Sequence, residues 1–478
     1  MEVETIETAL KRVIRSAIPG THVLSLQVTA APGLHRIYRA TTQAGAVLQC
    51  SLPPSPNRRL LRCECGSVRS EAATLQWLSQ LCNNGQHPEG ESSSPHKSAA
   101  NTAADFEEDK KEARNYIRAG AVAEYLPRLL DHGVMVAGAA AVAPMHRLQY
   151  NIMAPRPGRV LSTLSTPLTP AERRSVDFQV GQMLRGLSLL RSPTSRFGHA
   201  EGMMPPVPQR SSSEQRGASV QASRETFARW SDAFASMLHE AIQDAQVNQI
   251  TAAYDSIRRL LRRFAPVLDG VVEPRLVLVD AGLDKNVLVA MQKAEDGDPD
   301  DGDEKDSSVE DEEMEVDGSN NSGGSSSSSS NTAAALKVTG LREWVKPVFG
   351  DPLLSITLCR EPSEALVRGL CTPLADTLDD DTDEAYQGLA QDEGDCPRRV
   401  QVRMHLYRIY HALNAISAEY VHRDEGSDPR ELRARKVLVE AVRALETVEE
   451  EADESAASKR RRRYLQDASS KRQRTLSP

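Results

Sequence analysis

Two short segments constrain this chain more than any other part of its sequence. Pro274–Val289 is typical of a strand, a polar loop and a second strand, and Val338–Pro352 adds a further strand that ends in a carboxylate. Strands arranged in this way can bring carboxylate and amide side chains from separate parts of the sequence to one place. Such groups can hold Mg²⁺ beside a phosphoryl group. The two segments therefore predict a site for phosphate chemistry.

These segments resemble the motifs of the aminoglycoside phosphotransferase family, which shares the protein-kinase-like fold with choline kinases. The family pattern is roughly His-Gly-Asp-x-x-x-x-Asn, a hairpin, a strand ending Ile-Asp-Trp, and then Gly-Asp-Pro. Three runs match it: Asn286-Val-Leu-Val, Gly340-Leu-Arg-Glu-Trp and Gly350-Asp-Pro. The chain most closely resembles a fungal branch of the family. The resemblance implies a bilobal α+β fold with a small antiparallel-sheet N-lobe and a mostly helical C-lobe.

The same resemblance assigns roles to five residues. Asp280 would be the catalytic base, and Asn286 and Glu343 would be the Mg²⁺ ligands. Gln49 occupies the strand position of the lysine that grips a phosphate, and Glu71 occupies the position of its helix partner. ATP and Mg²⁺ are the cofactors that this assignment implies.

Several of these residues depart from the family pattern. No His precedes Asp280, five residues rather than four separate it from Asn286, and Glu343 replaces an Asp. Gln49 replaces the lysine, and a neutral amide cannot neutralise phosphate charge, which is a large part of phosphoryl-transfer catalysis. The longer side chain of Glu343 is a poorer match for octahedral Mg²⁺. We therefore predict a weakened nucleotide site in which Glu71 lacks its cation.

The polar residues also have purely structural interpretations. Asp280 and Asn286 both fit polar turns between strands, because Asp, Asn and Gly favour such turns without any chemistry. Asp351 is interpreted as a residue that holds local backbone. Residues 29–34 lie where a kinase fold has its phosphate-covering loop, although a single glycine equally fits an ordinary hairpin turn.

The 478 residues accommodate one two-lobed domain with polar insertions. Residues 1–155 are predicted as the N-lobe and residues 156–450 as the C-lobe. Segments rich in Ser, Gly and charge cannot bury enough apolar surface to become ordered. We therefore predict disorder in three insertions and a basic tail, at residues 83–112, 291–335, 376–398 and 451–478. The second insertion would place an acidic tether between the two strands of the candidate site.

Hydrophobic periodicity predicts the main elements. Alternation over residues 6–60 predicts half-buried antiparallel strands. Helical spacing predicts a helix from Ser70, and Thr169-Pro-Ala-Glu supplies a capping box with proline at the first helical position of another helix. Further helices are predicted at residues 223–244, 250–268, 400–421 and 428–445.

Cysteines, hydropathy and charge bear on location and partners. Seven cysteines, of which only Cys63 and Cys65 are closely spaced, indicate reduced thiols rather than a disulfide framework. No apolar run approaches the ~20 residues that cross a bilayer, so we expect an intracellular protein without membrane contact. Residues 459–474 form a basic cluster that fits a bipartite nuclear-localisation signal, a nucleic-acid-binding arm or a solvated tail. The predicted location is nuclear or cytoplasmic.

Three functions are compatible with the sequence. The first is a kinase-like protein with a degenerate nucleotide site, a pseudokinase-type module that binds or regulates a protein partner. The second is an active ATP-dependent kinase of a small-molecule hydroxyl, in which Lys285 or Arg342 replaces the missing cation. The third is a nuclear scaffold that contacts partners through its charged segments.

Overall fold

A computed structural model describes residues 5–29, 33–84, 115, 118–137, 146–205, 207, 225–291, 336–372 and 395–474. The insertions predicted at 83–112, 291–335 and 376–398 lie almost wholly outside these residues, as does the end of the predicted tail, 475–478. The described residues form a sheet-based small lobe and a mostly helical large lobe. The bilobal α+β fold predicted from the sequence is thus confirmed.

The small lobe is built on a five-stranded antiparallel sheet with the spatial order β1-β2-β3-β5-β4. Its strands are β1 (Val23–Val28), β2 (Arg36–Thr42), β3 (Val47–Leu52), β4 (Arg128–Ala137) and β5 (His146–Ala154). Helices α1 (Ile6–Ala17) and α2 (Ser67–Asn84) accompany them. The central strand β3 carries Gln49, and α2 carries Glu71, so the sheet and its helix position both predicted cofactor residues.

Helix α1 corrects the prediction that residues 6–60 consist of strands throughout. The Thr5 side chain accepts a hydrogen bond from the Thr8 backbone N–H and thereby caps the helix. Leu10, Val13 and Ile14 are buried at helical spacing against the sheet. This face and its cap favour a helix, although the surrounding sequence alternates.

The large lobe contains helices and short strands. Its helices are α3 (Pro170–Leu189), α4 (Trp230–Val247), α5 (Tyr254–Leu268), α6 (Ile356–Cys359), α7 (Glu364–Cys371), α8 (Asp395–Val421) and α9 (Ser427–Arg474). Its strands are β6 (Arg159–Val160), β7 (Gly198–His199), β8 (Arg275–Leu278), β9 (Val287–Met291), β10 (Leu336–Leu341) and β11 (Pro347–Gly350). These strands form two three-stranded sheets, β10-β9-β6 and β7-β11-β8. The two sheets present the ends of β8, β9 and β10 to the small lobe.

The capping box predicted for α3 is present. Thr169 accepts the backbone N–H of Glu172, the Glu172 carboxylate accepts the Thr169 N–H at 2.8 Å, and Pro170 begins the helix. Farther along α3, Gly181 leaves room for the carbonyl of Leu366, and this close approach lets α7 pack directly on α3. A side chain at that position would separate the two helices.

The β9–β10 hairpin fixes the positions of the two residues that flank the predicted acidic insertion. Met291 pairs with Leu336 at one end of the hairpin, and Val287 pairs with Leu341 at the other. Asn286 precedes the second pair, so the candidate site lies at the open end of the hairpin. Met291 and Leu336, the last described residues on either side of 292–335, therefore lie at the opposite end of the hairpin from the site.

Helix α9 extends beyond its predicted end at residue 445. It continues to Arg474, through residues that we expected to be disordered. Ion pairs join its middle portion to α5 and α8, including Arg263 with Asp453 at 2.6 Å and Arg398 with Glu451 at 2.9 Å. Side chains from residue 459 onward lie outside the described part of the chain. No helix within the described residues combines the length and apolar character needed to span a membrane.

Candidate active site

The structure brings the five predicted residues together where the two lobes meet. Gln49 comes from β3 and Glu71 from α2, on the small-lobe side. Asp280 follows β8, Asn286 precedes β9 and Glu343 follows β10, on the large-lobe side. Most of their side-chain hydrogen bonds are made to one another's backbone or to the backbone of neighbouring residues.

Asn286 organises the backbone of the large-lobe side. Its Oδ1 atom accepts the Glu343 backbone N–H at 2.9 Å, and its Nδ2 atom donates to the Glu343 carbonyl at 3.1 Å. The same Nδ2 atom lies 3.4 Å from the carbonyl of Asp280. The side chain is buried, so both ends of the amide are used in joining β10 to the Asp280 turn.

The Glu343 carboxylate holds the loop between β1 and β2. Its Oε1 atom accepts the backbone N–H of His35 at 3.0 Å, and its Oε2 atom accepts that of Leu34 at 3.3 Å. Gly33 permits this approach, because a Cβ atom there would lie 2.6 Å from Glu343 Oε1. The backbone donors of the predicted phosphate-covering loop thus bind a carboxylate of the protein itself.

Glu71 is fully buried and is surrounded by donors. The backbone N–H of Trp344 donates to Oε1 at 3.0 Å, and the Asn151 amide donates to Oε2 at 2.9 Å. His35 Nδ1 lies 3.6 Å from Oε2, while its Nε2 atom lies 2.9 Å from Ser67 Oγ. Burial raises the pKa of Glu71, and the nearby His35 partly opposes this rise. The sequence analysis did not identify His35. It predicted that Glu71 lacks a cationic partner, and the structure places the His35 imidazole beside it.

Gln49 does reach the large lobe, through a hydrogen bond from its Nε2 atom to the Arg342 carbonyl at 3.3 Å. The Arg342 side chain is itself buried, and burial lowers the pKa of its guanidinium. Its Nη2 atom would lie 2.8 Å from a Cβ atom on Gly33. The side chains of Arg342 and Glu343 therefore occupy the space next to Gly33 in the β1–β2 loop.

Asp280 is paired with a lysine that the sequence analysis did not identify. Lys346 Nζ lies 3.0 Å from Asp280 Oδ2, and both side chains are largely buried. Burial alone would raise the pKa of Asp280, but the charges of Lys346 and Lys285 and the hydrogen bond from Lys346 lower it to about 2. Burial likewise tends to lower the pKa of Lys346, whereas the Asp280 charge raises it above its ordinary value.

The predicted metal ligands do not form a ready Mg²⁺ site in this arrangement. Asn286 Oδ1 and both carboxylate oxygens of Glu343 each accept a backbone N–H. Mg²⁺ requires near-ideal octahedral oxygen ligation, so an ion would have to displace or share these donors. Within the described residues, no group of three or more His, Cys, Asp or Glu side chains is disposed to hold a metal.

Comparison with known proteins gives only distant similarity. No family model matches the chain, and no curated protein matches it. Among solved structures, the chain is similar to a proposed fructosamine-3-kinase from Thermobifida fusca YX-ER1, at 13% identity and a TM-score of 0.42, over 91% of this chain and 98% of the other. It is also similar to aminoglycoside 2'-phosphotransferase-IIIa, solved as a GDP complex, at 12% identity and a TM-score of 0.42 over the same shares. A macrolide 2'-phosphotransferase type I is similar at 13% identity and a TM-score of 0.37, over 93% of this chain and 99% of that one.

Proposed function

We propose that this chain is a kinase-like protein of pseudokinase type, whose interlobe cleft serves binding or regulation of a protein partner rather than phosphoryl transfer. The observation that carries the proposal is the pair of hydrogen bonds from the Leu34 and His35 backbone to the Glu343 carboxylate. These donors lie where the resemblance places the phosphate-covering loop. A nucleotide would have to break both bonds before its phosphates could use them.

The charges of the cleft also disfavour a triphosphate. Glu71 and Glu343 are buried on either side of the interlobe contact, while Gln49 supplies an amide in place of a cation. Electrostatic stabilisation is the main contribution of a protein to phosphoryl transfer, and loss of one preorganised donor typically costs ~10²–10³ in rate. A phosphate brought into this cleft would lie beside two acidic residues without the expected lysine.

Asp280 is poorly suited to act as a general base. A base works best when its pKa lies near the working pH. Burial tends to raise the pKa of Asp280, but the charges of Lys346 and Lys285 outweigh this effect and lower the pKa to about 2. The carboxylate is also already paired with Lys346. Asp280 would therefore have a low affinity for the proton of a substrate hydroxyl.

The test is thermal unfolding of the full chain with and without Mg-ATP at millimolar concentration. We expect no change in melting temperature for the protein or for a Gln49→Lys variant, because restoring one cation does not release Glu343. A ligand at 100 times its dissociation constant stabilises a protein by ~2.7 kcal/mol, which such a measurement detects readily. A saturable, Mg²⁺-dependent rise in melting temperature for the unaltered chain would contradict the proposal.

One observation favours the alternative, an active kinase of a small-molecule hydroxyl. Arg342 and Lys346 place two cationic side chains close to the loop at Gly33 and to Asp280. If these cations replace the missing lysine, the unaltered chain should hydrolyse ATP above background, and Asp280→Asn should abolish that activity without unfolding the protein. Absence of turnover in both proteins would leave the pseudokinase proposal as the better account.

A further inference from the structure

Residues 58–65 belong to the connection between β3 and α2 of the small lobe, and they make polar contacts with the large lobe. The backbone N–H of Arg62 donates to Asp244 Oδ2 at 2.8 Å, and its guanidinium forms an ion pair with the same carboxylate. Asp244 belongs to α4. The segment therefore links the lobes through a charge-assisted contact, a stronger class of hydrogen bond than a neutral one.

A second contact joins the same segment to the end of α8. His422 Nε2 lies 2.9 Å from Glu64 Oε2, and Arg58 Nε lies 2.9 Å from His422 Nδ1. An arginine nitrogen only donates, so His422 Nδ1 is the acceptor and its Nε2 carries the proton that is donated to Glu64. Burial tends to raise the pKa of Glu64, but the hydrogen bonds from His422 and from the Leu61 backbone lower it below its ordinary value. The imidazole thus connects two residues of the segment.

The segment also contacts α8 and influences the candidate site electrostatically. Cys63 Sγ is 3.5 Å from Asn414 Oδ1 of α8. Burial tends to lower the pKa of Lys346, but the charge of its partner Asp280 and, to a smaller extent, those of Cys63 and Glu64 raise it.

We propose that residues 58–65 form an interlobe clamp, which holds the two lobes together and covers the Asp280–Lys346 pair until its contacts with Asp244 and His422 are released. The inference rests on the proposed function, since it treats the cleft as a regulated binding element. The clamp would control access to Asp280, the residue that the resemblance assigns as the catalytic base, and to its partner Lys346.

Chemical labelling of Lys346 tests the clamp. The full chain is treated briefly with acetic anhydride under native conditions, and acetylation of individual lysines is measured by mass spectrometry. The variants are His422→Ala, which removes the contacts of Glu64 and Arg58, and Arg62→Ala, which removes the ion pair with Asp244. We expect Lys346 to be labelled roughly tenfold faster in each variant, as loss of one charged hydrogen bond implies.

Two controls accompany this measurement. Lys337 has a side chain that is 51% exposed, and its labelling rate should be the same in all proteins. Arg229→Ala removes an exposed ion pair with Asp232 elsewhere on the large lobe and should leave Lys346 protected. Circular dichroism establishes that each variant is folded, and Arg62→Ala, which alters a partly exposed loop side chain, serves if His422→Ala does not fold.

An unchanged labelling rate of Lys346 in a folded variant would overturn the clamp. Faster labelling of Lys346 in Arg229→Ala would also count against it, because the effect would not depend on the segment. Thermal unfolding with Mg-ATP is measured on the same variants. Nucleotide binding by the unaltered chain would contradict the proposed function while leaving the labelling result intact, so the two failures are distinguishable.

Discussion

His35 Nδ1 lies 3.6 Å from Glu71 Oε2, and both side chains are fully buried. The resemblance pairs the carboxylate of Glu71 with a lysine. In the structure this carboxylate instead faces the imidazole of His35, which immediately precedes β2. The backbone N–H of the same His35 holds Glu343 on the other lobe. His35 therefore lies beside both acidic groups, through its side chain at Glu71 and its backbone at Glu343.

Glu71→Ala should lower the free energy of unfolding by about 2–4 kcal/mol. The substitution leaves the Trp344 N–H and the Asn151 amide without their acceptor, and a buried donor left unsatisfied costs ~1–3 kcal/mol. Urea unfolding measures the loss. As a control, Glu124→Ala removes an exposed partner of Lys337 and should change stability by less than about 0.5 kcal/mol. A loss below about 1 kcal/mol for Glu71→Ala would show that the buried network is unimportant.

Asp280→Asn should destabilise the protein in a pH-dependent manner. Burial tends to raise the pKa of Asp280, but Lys346 and Lys285 outweigh it. The pKa is therefore about 2 in the folded protein, compared with an ordinary value of 3.8. A carboxyl with a lowered folded pKa contributes stability above its unfolded pKa, and that contribution is lost as the pH falls through the folded pKa. We therefore expect a deficit of roughly 2 kcal/mol at pH 7 that shrinks between pH 4 and pH 2. Urea unfolding at several pH values checks this, and a pH-independent deficit would exclude the ion pair as its cause.

Gly33→Ala should weaken the contact between the β1–β2 loop and Glu343. Its Cβ atom would lie 2.6 Å from Glu343 Oε1, which forces the carboxylate away from the Leu34 and His35 donors. A loss of about 1–3 kcal/mol in unfolding free energy is expected from the broken hydrogen bonds. Gly120→Ala, where a Cβ atom meets nothing within 4 Å, is the matched control and should be neutral or slightly stabilising. Equal effects of the two substitutions would contradict the close approach.

Asn414→Cys should form a disulfide with Cys63 when the folded protein is oxidised. Cys63 Sγ lies 3.5 Å from Asn414 Oδ1, so a thiol at position 414 would lie near the distance at which the two residues can be joined. Burial raises the pKa of Cys63 to about 12, so a strong oxidant is needed. Mass spectrometry of the digested protein should detect the cross-linked peptide, which Asn414→Ser cannot form. Its absence after oxidation would place the 58–65 segment away from α8.

The sequence predicted the elements whose signals are local. The capping box at Thr169 and Pro170 depends only on neighbouring residues, and it starts α3 as expected. The convergence of Asp280, Asn286 and Glu343 followed from their positions at strand ends. Helix α1 was not predicted, because alternation in the following strands obscured its short amphipathic face.

The residues that close the site could not be identified in this way. Lys346 reaches Asp280 from a backbone with φ of 55°, which is uncommon for a residue other than glycine and gives no sequence signal. His35 gains its role only when β2 lies against α2 and β10. Both contacts join segments distant in the chain, so periodicity and spacing carry no information about them.

The β9–β10 hairpin indicates where the chain should tolerate insertions and deletions. Met291 and Leu336 are register partners, and opposed residues of antiparallel strands lie only ~4.5–5.5 Å apart. A two-residue turn is enough to connect such a pair. We therefore expect that the chain between Met291 and Leu336 can be shortened or lengthened without disturbing strand pairing. A fluorescent protein could be inserted there to follow the protein in living cells.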